Sequence, residues 1–154
     1  MSGGKIQRIE DMPVFERFYQ LATDIEKATR VFGPDFRWLR SQVMRSSESV
    51  CANMTGGFYS QYSTEYLQAL YRCRREARET LVHLRYVGDT GKLSRELLTQ
   101  LQAGGEDALQ QLAALIVSIK RKIADRGKTK PGALLIKEAD ADYAPFPSTM
   151  NHQP

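Results

Sequence analysis

The chain has 154 residues, 42% of them hydrophobic and 26% charged, ordinary usage for one soluble domain with a sizeable core. Its apolar runs, such as Leu112 to Ile119, are too short to span a bilayer. The formal net charge is +4; the segment after Gly127 carries Lys128, Lys130 and Lys137 against Glu138, Asp140 and Asp142, so the surplus lies before it. Such an excess permits nucleic-acid binding without demanding it.

The opening Met-Ser-Gly-Gly-Lys lacks the apolar run of a secretion signal, which predicts a cytoplasmic protein. The first helical stripe follows, at Val14, Phe18, Leu21, Ile25, Ala28 and Phe32. Asp11 is placed to cap it, and Pro13 suits a first turn, where its missing N–H has no partner to lose. Gly33-Pro34 ends that segment. A second runs from Asp35 to Thr55 with Leu39, Val43, Ser46, Val50 and Asn53 on its stripe. Gly56-Gly57 is expected to close it in a left-handed conformation, and Phe58 to Ser63 forms the connection.

The third segment carries Tyr66, Leu70, Cys73, Ala77, Thr80, Leu84 and Val87, and Gly88-Asp89-Thr90-Gly91 is a turn. The fourth carries Leu97, Leu101, Gly104, Ala108, Leu112, Leu115, Ile119 and Ile123 and stops near Gly127. Gly104-Gly105 inside it costs about 0.8–1 kcal/mol per glycine relative to alanine. A kink or a later helix start is the simpler explanation, and close approach of another helix is the alternative. Four stripes joined by short turns predict an all-α fold, an antiparallel up-down four-helix bundle over residues 1–127. Residues 128–154, with Pro131, Pro145, Pro147 and Pro154, predict a largely disordered tail in which Leu134-Leu135-Ile136 could dock. Cys51 and Cys73, both within helical patterns, are expected to be reduced, half-buried thiols.

At the end of the second segment the residues become specific. Arg45-Ser46-Ser47-Glu48-Ser49-Val50-Cys51-Ala52-Asn53-Met54-Thr55-Gly56-Gly57, preceded by Leu39 and Gln42-Val43, resembles the signature of the bacterial four helix bundle protein family. That family is also called the ribosomal RNA intervening-sequence protein family and includes relatives of the accessory variability protein of diversity-generating retroelements. The matches fall at Arg45, Ser49, Asn53 and Gly57, with Glu79 on the third helix. The family's acidic residue is Gly56 here, its small residues are Ser46 and Ser47, and its Gly-Ser pair in the third helix is Arg74-Arg75. The resemblance implies a homopentamer around a central channel with a basic surface, serving as an accessory to a machine such as a reverse transcriptase.

Read physically, the signature is mainly structural. Ser46, Ser49 and Ala52 are small enough to admit a neighbouring helix, Asn53 can satisfy backbone groups at a helix end, and Arg45 can pair with Glu79 or Glu48. Little in the chain suggests catalysis. His83 and His152 stand far apart, no Cys/His spacing fits a metal, no phosphate loop occurs, and no cofactor is expected. Glu76 and Glu79 lie one turn apart among arginines, an expected salt-bridged surface.

The basic residues form two groups. On the third helix, Tyr71, Arg74, Arg78 and Arg85 share a face with Leu67, beside Arg75, a combination suited to phosphate contact and base stacking. On the fourth, Lys120, Arg121, Lys122 and Arg126 lead towards Lys128 and Lys130. In a lone monomer these charges serve solubility and the helix dipole; repeated by symmetry, they become a nucleic-acid surface, for RNA sooner than DNA. Tyr59, Tyr62, Tyr66 and Tyr71 would instead suit a protein interface, which makes an oligomeric scaffold the alternative.

Overall fold

The computed structural model describes residues 6–129. Ile9–Asp11 forms a 3-10 turn, and helix α1 spans Pro13–Ala28. Helix α2 spans Arg37–Phe58, α3 Ser63–Asp89 and α4 Arg95–Thr129. Helix α1 packs on α2 and α4, and α3 packs on the same two, so neighbours in sequence are neighbours in space. This is the up-down four-helix bundle, and among the described residues there is no strand. Residues 130–154, where the tail is expected, lie outside the described region.

The stripes form the core much as the periodicity predicts. Phe18, Ile25, Leu39, Val43, Leu70, Cys73, Leu84, Leu112 and Leu115 are essentially inaccessible to water. Each large apolar side chain so buried contributes about 1.5–3 kcal/mol. The segment before α1 closes one end: Met12 is fully buried beneath Tyr66, whose hydroxyl points at Met12 Sδ (3.5 Å), and the Ile9 N–H donates to the Tyr59 hydroxyl (3.2 Å).

The helix boundaries depart from the sequence reading in instructive ways. Met12, not Asp11, occupies the position before α1 and offers no side-chain cap; Asp11 turns back to Arg8 at 3.5 Å. Helix α1 ends at Ala28, so Phe32 lies beyond it, after a 3-10 turn over Thr29–Val31. Helix α2 begins at Arg37, two residues after Asp35, and runs through Gly56-Gly57 to Phe58. The connection shrinks accordingly to residues 59–62. At the far end α4 continues through Gly127 to Thr129. The turn after α3 is as expected, and Gly91 is its left-handed residue, with φ +72°.

The two glycine pairs serve close approach. A Cβ on Gly57 would stand 2.5 Å from the Ala69 Cβ on α3, while one on Gly56 would meet nothing within 4 Å. Likewise a Cβ on Gly105 would stand 2.7 Å from Leu81 Cδ2 of α3, whereas Gly104 is open. The alternative of helix approach therefore describes Gly105, and α4 passes through the pair as unbroken helix. Beside Gly57, the buried face between α2 and α3 is small and polar. The Thr80 hydroxyl donates to Ser46 Oγ (2.8 Å), and Ser46 donates to the Val43 carbonyl (3.2 Å). The Cys73 thiol donates to the Val50 carbonyl (3.3 Å). Both cysteines are unbridged and buried outright, more deeply than expected, and burial pushes each thiol up to about 12.

Gly57→Val is expected to lower the urea midpoint by the equivalent of about 1–3 kcal/mol, the usual cost of overpacking a close contact. Gly56→Ala on the adjacent open position should raise stability by about 0.4–1 kcal/mol. Urea unfolding of the two variants separates close approach from backbone freedom as the reason for the pair.

Candidate nucleic-acid interface

Helix α3 buries Leu70, Cys73, Ala77 and Leu84, which turns the residues between them outwards. Arg72, Arg74, Arg75 and Arg78 are exposed and Tyr71 is half-buried. With Gln68 they line an open depression of about 620 Å³. The Arg74 guanidinium carbon lies 5.1 Å from the Tyr71 ring centroid, a cation–π contact that orders both side chains. Arg78 reaches Glu106 of α4 at 3.6 Å, an exposed pair that contributes little to stability and leaves the charge at the surface.

The other basic residues do not join this depression. Arg85, two turns beyond Arg78, pairs with Asp89 at 3.7 Å. Lys120 and Arg121 are exposed and Lys122 and Arg126 half-buried on the distal stretch of α4. They form a separate basic group.

Two residues of the depression were not among those singled out from the sequence: Gln68 and Arg72. Both also line a second open depression of about 500 Å³, with Ala52, Asn53, Gly56, Gly57, Ser60, Thr64 and Glu65. Arg72 is held there. Its Nε donates to Asn53 Oδ1 (3.1 Å), and Asn53 Nδ2 donates to the Ser49 carbonyl (2.9 Å) and Ser49 Oγ (3.1 Å). Asn53 thus ties α2 to α3 and does not cap the end of α2, which continues for another turn past it.

The remaining signature residues resolve similarly. Arg45 donates to Gln42 Oε1 (3.3 Å) and pairs with neither Glu48 nor Glu79. Ala52 is exposed and admits no helix. Of the four tyrosines expected at an interface, Tyr66 is buried in the core, while Tyr59 and Tyr62 are exposed. Glu76 and Glu79 form no salt bridge with the flanking arginines: Glu76 Oε1 is buried without a hydrogen-bond partner. Burial raises the Glu76 carboxyl pKa most, the neighbouring Glu79 carboxyl raises it further, and Arg45 and Arg75 oppose this.

His83 is half-buried on the same helix with its Nε2 unpartnered, and His152 lies outside the described residues. Among the described residues no group of three or more His, Cys, Asp or Glu is arranged to hold a metal. No described helix is long and apolar enough to cross a membrane.

The family model described as 23S rRNA-intervening sequence protein matches residues 10–124, which takes in both depressions and reaches into all four helices. The chain belongs to this intervening-sequence protein family. A crystal structure of a protein of unknown function from the S23 ribosomal protein family of Bacteroides thetaiotaomicron superposes with a TM-score of 0.62. The two share 20% identity, and the match covers 67% of this chain and 97% of that one, which establishes a common fold. None of the curated proteins matches this intervening-sequence protein.

Glu76 gives a pH test of the site's surroundings. Its folded pKa is raised, so the ionised carboxylate opposes folding; this cost is absent below the unfolded pKa and grows as pH rises through the folded one. Glu76→Gln is therefore expected to raise the Tm at pH 7 and to raise it less, or not at all, at pH 4. Thermal unfolding at both pH values checks it, and an equal gain at both would contradict it.

Proposed function

We propose that this intervening-sequence protein is a non-enzymatic nucleic-acid-binding accessory protein that works as a homo-oligomer and holds RNA in preference to DNA. The observation that carries the reading is the convergence of Arg72, Arg74, Arg75 and Arg78 around Tyr71 on one exposed face. Arginine provides forked donors to phosphate, and a tyrosine ring stacks on an unpaired base. One such face binds weakly. A closed ring repeats it, together with Lys120, Arg121, Lys122 and Arg126, and summed counterion release makes the attachment firm at low salt.

The family's name ties it to 23S rRNA, which favours RNA as the partner. The proposal extends to a pentamer and to service to a reverse transcriptase in a retroelement, as the resemblance of the Arg45–Gly57 signature to its family implies. Exposed aromatic surface supports self-association: Trp38 and Tyr86 are 53% and 48% exposed, meet edge to face at 5.8 Å, and have Val82 nearby on α3, 65% exposed. The same patch favours the second reading, an oligomeric scaffold for another protein.

The two readings separate experimentally. Light scattering should give a five-subunit mass, and the double variant Arg74→Glu with Arg78→Glu should keep that mass. Its affinity for a structured RNA should fall by about 100-fold or more, because two phosphate contacts become repulsions. An oligomer that ignores RNA even at low salt leaves the scaffold.

A further inference from the structure

The two depressions on the α2–α3 face share Gln68 and Arg72, which line both. We propose that they form one groove for a single-stranded RNA segment, with Arg72 as the phosphate contact where they meet and Asn53 as the residue that positions it. This rests on the nucleic-acid reading above and adds a binding residue, a positioning residue and a strandedness to it.

The geometry at Arg72 carries the first part. Its Nε is engaged by Asn53, which leaves both terminal guanidinium nitrogens to grip an anion in a fixed orientation. Asn53 has no freedom to turn, because its amide nitrogen is committed to the Ser49 carbonyl and hydroxyl. A long exposed arginine normally loses considerable rotamer entropy on binding. Here the Ser49–Asn53 pair has removed part of that loss in advance.

The division of charge carries the second part. One half of the groove holds Arg74, Arg75 and Arg78 with the Tyr71 ring. The other holds Glu65 with Thr64 and Ser60, and Gly56 adds no side chain to its lining. A carboxylate repels phosphate and accepts hydrogen bonds from the amino edge of a base or from a ribose 2′-hydroxyl. A nucleotide can therefore lie across the junction, its phosphate towards the arginines and its base or sugar towards Glu65. The Tyr71 ring beside the arginines can stack on an unpaired base, a face that a duplex keeps within its own stack.

The test is fluorescence anisotropy of the full chain with a labelled single-stranded RNA across a salt series. Arg72→Ala should weaken binding about tenfold and reduce the slope of log K against log salt by about one. Asn53→Ala should weaken binding severalfold alone and change it less than twofold when added to Arg72→Ala. Gly56→Leu places its Cβ in open space and removes no charge, yet adds bulk to the lining, and should weaken single-stranded RNA more than duplex DNA. The proposal is overturned if Arg72→Ala or Gly56→Leu binds like the wild type, if the Asn53 and Arg72 effects add, or if duplex DNA binds equally well. A wild type that binds no RNA sinks the nucleic-acid reading itself. Loss of binding in the Arg74/Arg78 double variant, with Arg72→Ala unaffected, sinks the groove alone.

Discussion

The close approach of α2 and α3 governs this molecule. Gly57 against the Ala69 Cβ sets the separation of the two helices, and no side chain at position 57 is compatible with it without movement. Once that contact is made, antiparallel geometry dictates the rest. One turn earlier on α2 and one turn later on α3, Asn53 meets Arg72. Val50 meets Cys73 next, and beyond them Ser46, one turn earlier on α2, meets Thr80, two turns later on α3. Small polar groups, the hydroxyls of Ser46 and Thr80, the Cys73 thiol and the Asn53 amide, line this face and find partners there. Buried polar groups left unpaired would cost about 1–3 kcal/mol each, and here the pairing is local and nearly complete.

That constraint reaches the outer surface. Fixing which face of α3 meets α2 also fixes which face looks outwards, and there the arginines gather around Tyr71. The signature residues Ser49, Asn53 and Gly57 thus connect packing to the basic surface: they bring α3 in and tether Arg72 as they do so. Glu76 lies on the strained side of the arrangement. Its carboxyl is partly desolvated beside Glu79, and the proximity of Arg45 and Arg75 offsets this only in part.

The helical stripes were legible because burial repeats with the helix period, and Val14, Phe18, Leu70, Leu84, Leu112 and Leu115 appear in the core where that period puts them. The glycines were not. A glycine pair after a helical stretch serves equally a left-handed helix end or an approaching neighbour, and local sequence does not distinguish them; only the partner, Ala69 or Leu81, does. For the same reason Asn53 reads as a cap from sequence and proves to be a cross-helix tie. Arg72 was passed over as one arginine among several because its distinction is a tertiary contact 19 residues away. A register argument anchored on Gly57 and Ala69 would have found it. Arg85 and the α4 cations were legible as basic surface, but periodicity along one helix carries no information on whether charges of two helices converge.

The central claim is that a tightly registered α2–α3 pair presents an arginine surface for RNA. Its most direct measurement is the affinity of the unmodified protein for structured RNA as salt rises from 50 to about 200 mM. For a ring making roughly 6–10 phosphate contacts the account predicts a steep, linear log–log fall, of about 10³-fold or more over that range. Binding that is flat across the series, or absent at its lowest salt, would contradict it.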